Sequence, residues 1–574
     1  LNKELDVNQK VEILFEYKLF IPSFILNYGA KNNYINLKNC FFRFTPLLDD
    51  EPLVFSNLAL DDQFFVKSNI KLKIEYDSKF NSITNLNKES SQTNKHIVTD
   101  NYLGQDVKDL FLILTQNSDF ENIKINKLNI YSNSNKILSL KKPNLENVSN
   151  FLDDYFPYHN LKKIVIDEND FKNNSLYPYS EIPEFLDPFS ENNLNEINFV
   201  KNLINSILSN SLNINRREFF WLSSGLKLFY LNKFIEEYHS NLLLIGKYSN
   251  LFFIKKHNLS LMKFGDQFEL GYRFVSGRNL NQKLSLSSDK LTRVNYRLSS
   301  PSKSFYSLKI LNDYIGGDNF RKAILKILNS KKMITKTEQI QIIFESNSKY
   351  NLNWFFNNYL EYDGLIDLKI KRKDGTYQFK NLTGNNLLFP IPVRTEFKDG
   401  TFKKDWLDLN SKLSHFNDNE IKKIIIDPNM LFFDENYKNN TFLNSKKNKK
   451  TIFRFFSDLD SPDYNQVFYR PMFLYNLYDG FSPGITLTNK SPMKKSFAYL
   501  FSPFYSLETE KLIGSINLNF TNYHSKNFSS KYYLSLSKFH YDNNLSYIRY
   551  SPTILLTFRD KNLISTYKQF LRFK

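Results

Sequence analysis

The chain has 574 residues, a net charge of +18 and 41% hydrophobic residues, which excludes a disordered chain and allows three or four domains at about 150 residues each. Phe and Tyr lead an aromatic content of 16%. With abundant Lys and Asn this reads as AT-rich coding bias, so the basic balance is taken as scattered surface charge and nucleic acid is not expected as a partner. Cys40 is the single cysteine, which excludes a disulfide framework and a multi-cysteine metal site. No apolar run nears the roughly 18 residues of a membrane helix, and no zinc-knuckle spacing or glycine-rich phosphate loop occurs. The start at Leu1 reads as a removed leader or a fragment.

Residues 1–140 read as mostly β, because "VEILFEYKLFI" (Val11–Ile21) and "NIKLKIEYD" (Asn69–Asp77) alternate between polar turns. Over 141–365 the period becomes helical. "NEINFVKNLINSILSNSL", "WLSSGLKLFYLNKFIEEYH", "SFYSLKILNDYIGG" and "NFRKAILKILNS" are amphipathic at 3.6 spacing. Gly316-Gly317 is expected to end one helix and Asp318 to cap the next. Residues 366–443 return to strands, with Asp374-Gly375 and Asp399-Gly400 as hairpin turns of a small sandwich. The basic run "NSKKNKK" (Asn444–Lys450) reads as a linker.

The remainder, within 444–574, alternates for longer. In "KLIGSINLNFTNY", Leu512, Gly514, Ile516, Leu518 and Phe520 share one face. In "SKYYLSLSKFHY", Tyr532, Leu534 and Leu536 oppose Tyr533, Ser535 and Ser537. Strands of about ten residues with one apolar face and short turns suit an outer-membrane barrel. The half-buried strands of a soluble sandwich carry the same pattern, and both readings stand at this point.

The segment "WLSSG", Trp221–Gly225, resembles the Trp-Leu-Asn-Glu-Gly segment of the aminopeptidase-N-type zinc metallopeptidases, the gluzincins. The resemblance covers roughly residues 10–440. It extends without a gap to "KNLIN" (Lys201–Asn205) in place of His-Glu-x-x-His, and to "PSKSFYSLKILNDYIGG" in place of the segment holding Tyr-x-Lys-Gly. "YNLNWFFNNYLEYDGLIDLKI" and "IIIDPNMLFFDENYKNN" look like the ends of the catalytic domain and of the small sandwich. The fold this implies is multidomain α+β: an N-terminal β-saddle (1–140), a thermolysin-like mostly helical domain (141–365), a small Ig-like β-sandwich (366–443) and a C-terminal antiparallel β region (444–574), the last expected as the start of an outer-membrane barrel.

The family's chemistry needs two imidazoles one helical turn apart and a carboxylate from the next helix to hold zinc. A glutamate takes a proton from the bound water, and a tyrosine hydroxyl meets the developing charge. Placed on that pattern, Lys201 and Asn205 stand at the two His, Asn202 at the general base, Ser224 at the glutamate ligand and Pro301 at the tyrosine. Lys303 matches the lysine. The Gly-x-Met-Glu-Asn segment is absent, and its region reads "FKNNSLYPYSEIPEFL". An ammonium repels a metal, amide and hydroxyl groups are poor zinc ligands, and proline has no side-chain donor. The resemblance therefore implies a degenerate, inactive site, with Lys201, Asn202, Asn205, Trp221, Ser224 and Pro301 forming a pocket. No cofactor is expected, where active relatives hold zinc.

The seven histidines show no metal-ligand spacing, and "EEYH" (Glu236–His239) reads as a solvated helix face. The expected function is a non-catalytic peptide- or protein-binding or scaffold module of the cell envelope, held at the outer membrane of a Gram-negative bacterium by its C-terminal region. The alternatives are an active zinc aminopeptidase with unrecognised ligands and a purely structural outer-membrane protein.

Overall fold

A computed structural model describes residues 11–574 apart from 24–27, 32, 39, 44, 46, 49–50, 53–64, 117–119, 160, 174–187, 374–375, 385, 409–411, 414–419, 444–448 and 543–544. The Asp374-Gly375 turn, most of the basic linker and most of "FKNNSLYPYSEIPEFL" thus lie outside the described residues.

Strands β1 (Tyr28–Lys31), β2 (Tyr34–Lys38), β3 (Leu47–Leu48), β4 (Glu51–Pro52), β5 (Ser68–Asp77), β6 (Asn81–Thr84), β7 (Asn87–Asn94), β8 (Ile97–Val107), β9 (Phe111–Thr115), β10 (Glu121–Ile125) and β11 (Leu128–Ser132) come first. Then follow α1 (Asn135–Leu138), α2 (Lys142–Tyr155), β12 (Lys163–Ile166) and α3 (Glu168–Asn173). The long helices are α4 (Glu191–Ser211), α5 (Phe220–Tyr238), α6 (Gln267–Ser276), α7 (Ser300–Ile315), α8 (Gly317–Leu328) and α9 (Thr337–Ser348). Next come β13 (Leu368–Lys373), β14 (Thr376–Asn381), β15 (Ile391–Phe397), β16 (Phe402–Leu407), β17 (Lys412–Leu413), β18 (Ile421–Ile426) and β19 (Thr441–Leu443). The last eight are β20 (Thr451–Phe455), β21 (Asn465–Asn476), β22 (Gly480–Thr488), β23 (Phe497–Tyr505), β24 (Leu512–Tyr523), β25 (Phe528–Asp542), β26 (Leu545–Arg559) and β27 (Lys568–Phe573).

Contacts divide the chain into two units. The first comprises residues 1–45, 65–138 and 162–173. Its sheets run β1-β2-β9-β6, β5-β8-β7 and β10-β11-β12. Residues 162–173, which fall inside the stretch read as helical, add β12 parallel to β11, and the Ser132 hydroxyl donates to Ile166 O at 2.7 Å across that pair. The expectation of a strand at Val11–Ile21 is not met: these residues are irregular and exposed. A run of alternating residues forms a strand only where a neighbouring strand takes up its backbone groups, and among the described residues none pairs with this one.

The second unit holds the long helices and all later strands. Helix α5 is buried nearly all round, as a helix apolar on every side must be. Helix α8 is two-faced, with Phe320, Ala323, Ile324, Ile327 and Leu328 buried at helical spacing. Gly316 ends α7 and caps α8 at once, at φ +86°, a conformation side chains resist. Asp318 is therefore not the cap; it lies in the first turn of α8, where the helix dipole favours its charge. Strands β13–β19 make two small sheets, β13-β14-β17 and β16-β15-β18-β19.

Strands β20 to β27 form one eight-stranded sheet in chain order. It is a single layer and not a two-sheet sandwich, and its first pair, β20 with β21, is parallel where an antiparallel pair was expected. One face is apolar row by row: Phe497, Phe520, Tyr532, Ile554 and Phe573 are cross-strand neighbours, and each is 40–58% exposed. The opposite face carries rows such as Leu500–Asn517–Ser535–Ser551 and Ser502–Ser515–Ser537–Arg549. Gly514, in the apolar face, has φ +137°, and a Cβ there would lie 2.1 Å from Ser502 O. Gly514→Val should cost about 3 kcal/mol through backbone strain and overpacking. Urea unfolding of the full chain is the measurement; an unchanged midpoint would contradict this packing.

Candidate functional site

The six positions singled out from the sequence lie on three helices of the second unit. Lys201, Asn202 and Asn205 are on α4, Trp221 and Ser224 on α5, and Pro301 in the first turn of α7. Helices α5 and α7 cross at closest approach beside Ser224: a Cβ on Gly225 would sit 3.0 Å from the backbone of Ser304. That approach needs a residue without a side chain, and it places Ser224 one residue from the crossing and Pro301 one turn before it.

The polar groups at these positions turn back into their own helices. The Ser224 hydroxyl donates to Phe220 O at 2.6 Å, and the Asn202 amide donates to Asn198 O at 2.9 Å. Both are the local side-chain-to-backbone bonds that short polar residues make within a helix. Trp221 is fully buried and packs edge-on against Phe355 and Phe356 at 6.0 and 6.3 Å. Burial, with Lys227 of α5 adding like charge, pushes the Lys201 ammonium down to about 8.

Lys303 is buried beside this crossing. Its ammonium donates to Tyr362 O and lies 5.5 Å from the Tyr359 ring centre and 6.0 Å from that of Tyr272. Burial pushes it down to about 7, against the opposing pull of Asp363. The sequence flagged Lys303 as a family match; its aromatic surroundings come from residues about 30 and 60 positions away and left no local signal.

Two turns further along α5 is a cavity of about 320 Å³. It is lined by Asn232, Glu236, His239, Asp266, Tyr306 and Lys309 among others. Asn232 donates to Glu236 at 2.7 Å, and Lys309 stands 3.9 Å from Glu236. Behind His239, at 3.4 Å, is the buried carboxylate of Glu196, which accepts from the amides of Asn144 and Asn147. In "EEYH" Glu236 and Glu237 are exposed, as the solvated-face reading expects, while Tyr238 and His239 are half-buried. Its neighbours arrive from α2, α4, α7 and the 263–266 turn, and spacing along α5 alone does not reveal them.

The resemblance implies zinc, and the residues present do not fit it. Lys201, Asn205 and Ser224 offer an ammonium, an amide and a hydroxyl that is already bonded to a carbonyl. Among the described residues no cluster of three or more His, Cys, Asp or Glu forms a metal-binding group.

No protein-family model matches the chain, and no curated protein matches it. Among solved structures it is similar to the crystal structure of Legionella pneumophila aminopeptidase A in complex with aspartic acid, at 13% identity and a TM-score of 0.44. The match covers 61% of this chain and 42% of that one, so the chain spans less than half the length of that protein.

Two outcomes follow from this packing. Gly225→Leu should destabilise by about 2–3 kcal/mol, because the Ser304 backbone cannot retreat without moving α7; an unaltered thermal midpoint would contradict the crossing. Lys303 has a folded-state pKa below its unfolded value, so the unfolded chain binds the extra proton between pH 7 and about 10.5. Its contribution to stability should therefore rise as pH is raised through that window, and Lys303→Met should flatten the rise, as read by melting temperature against pH.

Proposed function

We propose that the chain is a non-catalytic, aminopeptidase-N-like module of the cell envelope that binds a peptide or protein instead of cleaving one. The observation that carries this reading is the set of side chains at Lys201, Asn202, Asn205, Ser224 and Pro301. They sit at ungapped motif spacing on three helices, and they lack the imidazoles, carboxylates and phenol that zinc-dependent hydrolysis needs. The bonds of Ser224 and Asn202 back into their own helices support it. The charged cavity at the end of α5 is of a size to take a few side chains of such a ligand.

The C-terminal sheet would hold this module at a membrane, and the localisation proposed is the outer membrane of a Gram-negative bacterium. The two-faced rows support it, because an apolar face this broad exceeds the few hundred Å² that a soluble monomer exposes. From Phe497 to Tyr505 the apolar positions extend about 27 Å along β23 at the usual strand rise, the scale of the apolar band of a membrane barrel.

The purified chain should carry no stoichiometric zinc by elemental analysis and release no aminocoumarin from aminoacyl-aminocoumarin substrates. Zinc near one equivalent, with hydrolysis abolished by chelation, would establish the active-peptidase alternative. The chain should also aggregate in water and become monodisperse in detergent; a monodisperse monomer in plain buffer would remove the membrane reading.

A further inference from the structure

The helical part of the second unit meets one end of the sheet through a connected set of hydrogen bonds. The ring Nε2 of His257 and Phe455 O are 2.8 Å apart, and the Asn258 backbone N–H donates to Asp458 at 2.8 Å. The Asn258 amide donates to Leu459 O at 2.7 Å, and Tyr464 OH donates to Asn258 Oδ1 at 2.6 Å. These bonds fix His257 and Asn258, in the segment 247–261, on the end of β20 and its connection to β21, where Phe453 and Phe456 are exposed.

This segment presents its apolar side chains outward. Phe252 is 93% exposed, Phe253 57% and Leu261 70%. Successive tight turns hold them there: Ile254 N–H and Lys255 N–H both donate to Leu251 O, and His257 N–H donates to Ile254 O. Phe252, held almost wholly in water by an ordered backbone, lacks the burial that would balance its hydration cost, and Phe253 has it only in part. From Tyr238 to Gly265 the chain also contains Lys247, Lys255, Lys256 and Lys263 and no Asp or Glu.

We propose that the segment 247–261 is a second membrane contact, in which Phe252 and Phe253 enter the headgroup region of an anionic bilayer while Lys255 and Lys256 meet its phosphates. The inference rests on the membrane reading of the sheet and adds to it a contact from the helical part. Three observations select lipid over a protein partner. The loop is hydrogen-bonded through His257 to Phe455 at the end of β20, a strand end that also carries exposed Phe453 and Phe456. Aromatic side chains at the boundary of an apolar band are what membrane barrels place at headgroup level. An apolar tip flanked only by lysines complements a surface that is apolar within and anionic at its rim.

The test uses the full chain in a Cys40→Ser background with a single environment-sensitive label. Phe252→Cys reports on the loop, Phe253→Cys is a second loop site, and Ile516→Cys reports on the sheet. Each protein is folded into vesicles of phosphatidylethanolamine and phosphatidylglycerol that contain lipid brominated near the headgroup, to read 252 and 253, or lipid brominated along the acyl chain, to read 516. The expected result is loss of label emission at 252 or 253 and at 516. With Lys255→Gln and Lys256→Gln added, the loop loss should shrink and the sheet loss stay unchanged. Quenching at 516 with full emission at both loop sites would overturn the inference and leave the sheet reading intact. Full emission at all three sites would overturn the sheet reading and this inference with it.

Discussion

The constraint on which the second unit turns is the single thickness of its C-terminal sheet. A sheet with one layer of strands has two faces, and every side chain belongs to one or the other because the strand period is two. Here the rows through Phe497–Phe520–Tyr532 and through Phe501–Ile516–Leu536 put large apolar groups on one face for the whole width of the antiparallel strands. The serines and asparagines in the alternate rows are not free to take the other role: a one-residue slip in register would reverse every assignment. The hydrogen-bonded register and the two-faced pattern therefore enforce each other. The face so produced leaves large apolar side chains about half exposed along its rows.

The helical core answers to a different constraint. At Gly225 and Ser304 two helices approach at backbone distance, and around that crossing polar groups must find partners inside the protein. Ser224 and Asn202 use carbonyls of their own helices, and Lys303 uses Tyr362 O and the faces of two tyrosine rings. A buried ammonium held by a carbonyl and ring quadrupoles is costlier than an apolar side chain of the same volume. A catalytic site would keep its polar groups aimed at a shared space. Here Ser224, Asn202 and Lys303 are committed to backbone, and the open, charged space lies two turns away, beside Glu236 and Lys309.

Local pattern was enough to read the long elements. The apolar spacing of α4, α5, α7 and α8 and the alternation of β24 and β25 are properties of a few adjacent residues, and they correspond to helices and strands at those positions. Asp399-Gly400 does lie in the turn between β15 and β16, because a turn of that kind is decided locally. Failures arose where a distant partner decides. Val11–Ile21 alternates yet pairs with no strand among the described residues. β12 is a strand because β11 lies parallel to it. The sequence singled out "EEYH" but not its partners, since Glu196, Asn144 and Lys309 come from other helices. The motif positions were found through resemblance. That their hydroxyl and amide turn inward required side-chain geometry.

The joint between helices and sheet decides how these two parts act together. Asn279 donates to Ser525 O at 2.9 Å, and Lys526 donates to Asn281 O and Oδ1 at 2.8 and 2.9 Å, while Asn258 and Asp458 bond on the far side of the same sheet end. Side-chain hydrogen bonds to backbone depend on angle and distance far more than apolar contacts do, so this joint fixes orientation as well as proximity. The bonds run to a turn and to the β20–β21 connection, the parts of a sheet that would otherwise fray into water. Ordering both sides at once lets each stabilise the other. On the proposed membrane reading, the depth of the sheet in the bilayer then sets the height of α6 and of the 247–261 segment above it. A rigid joint of this kind presents the charged cavity at a constant distance from the lipid, which a flexible linker would not do.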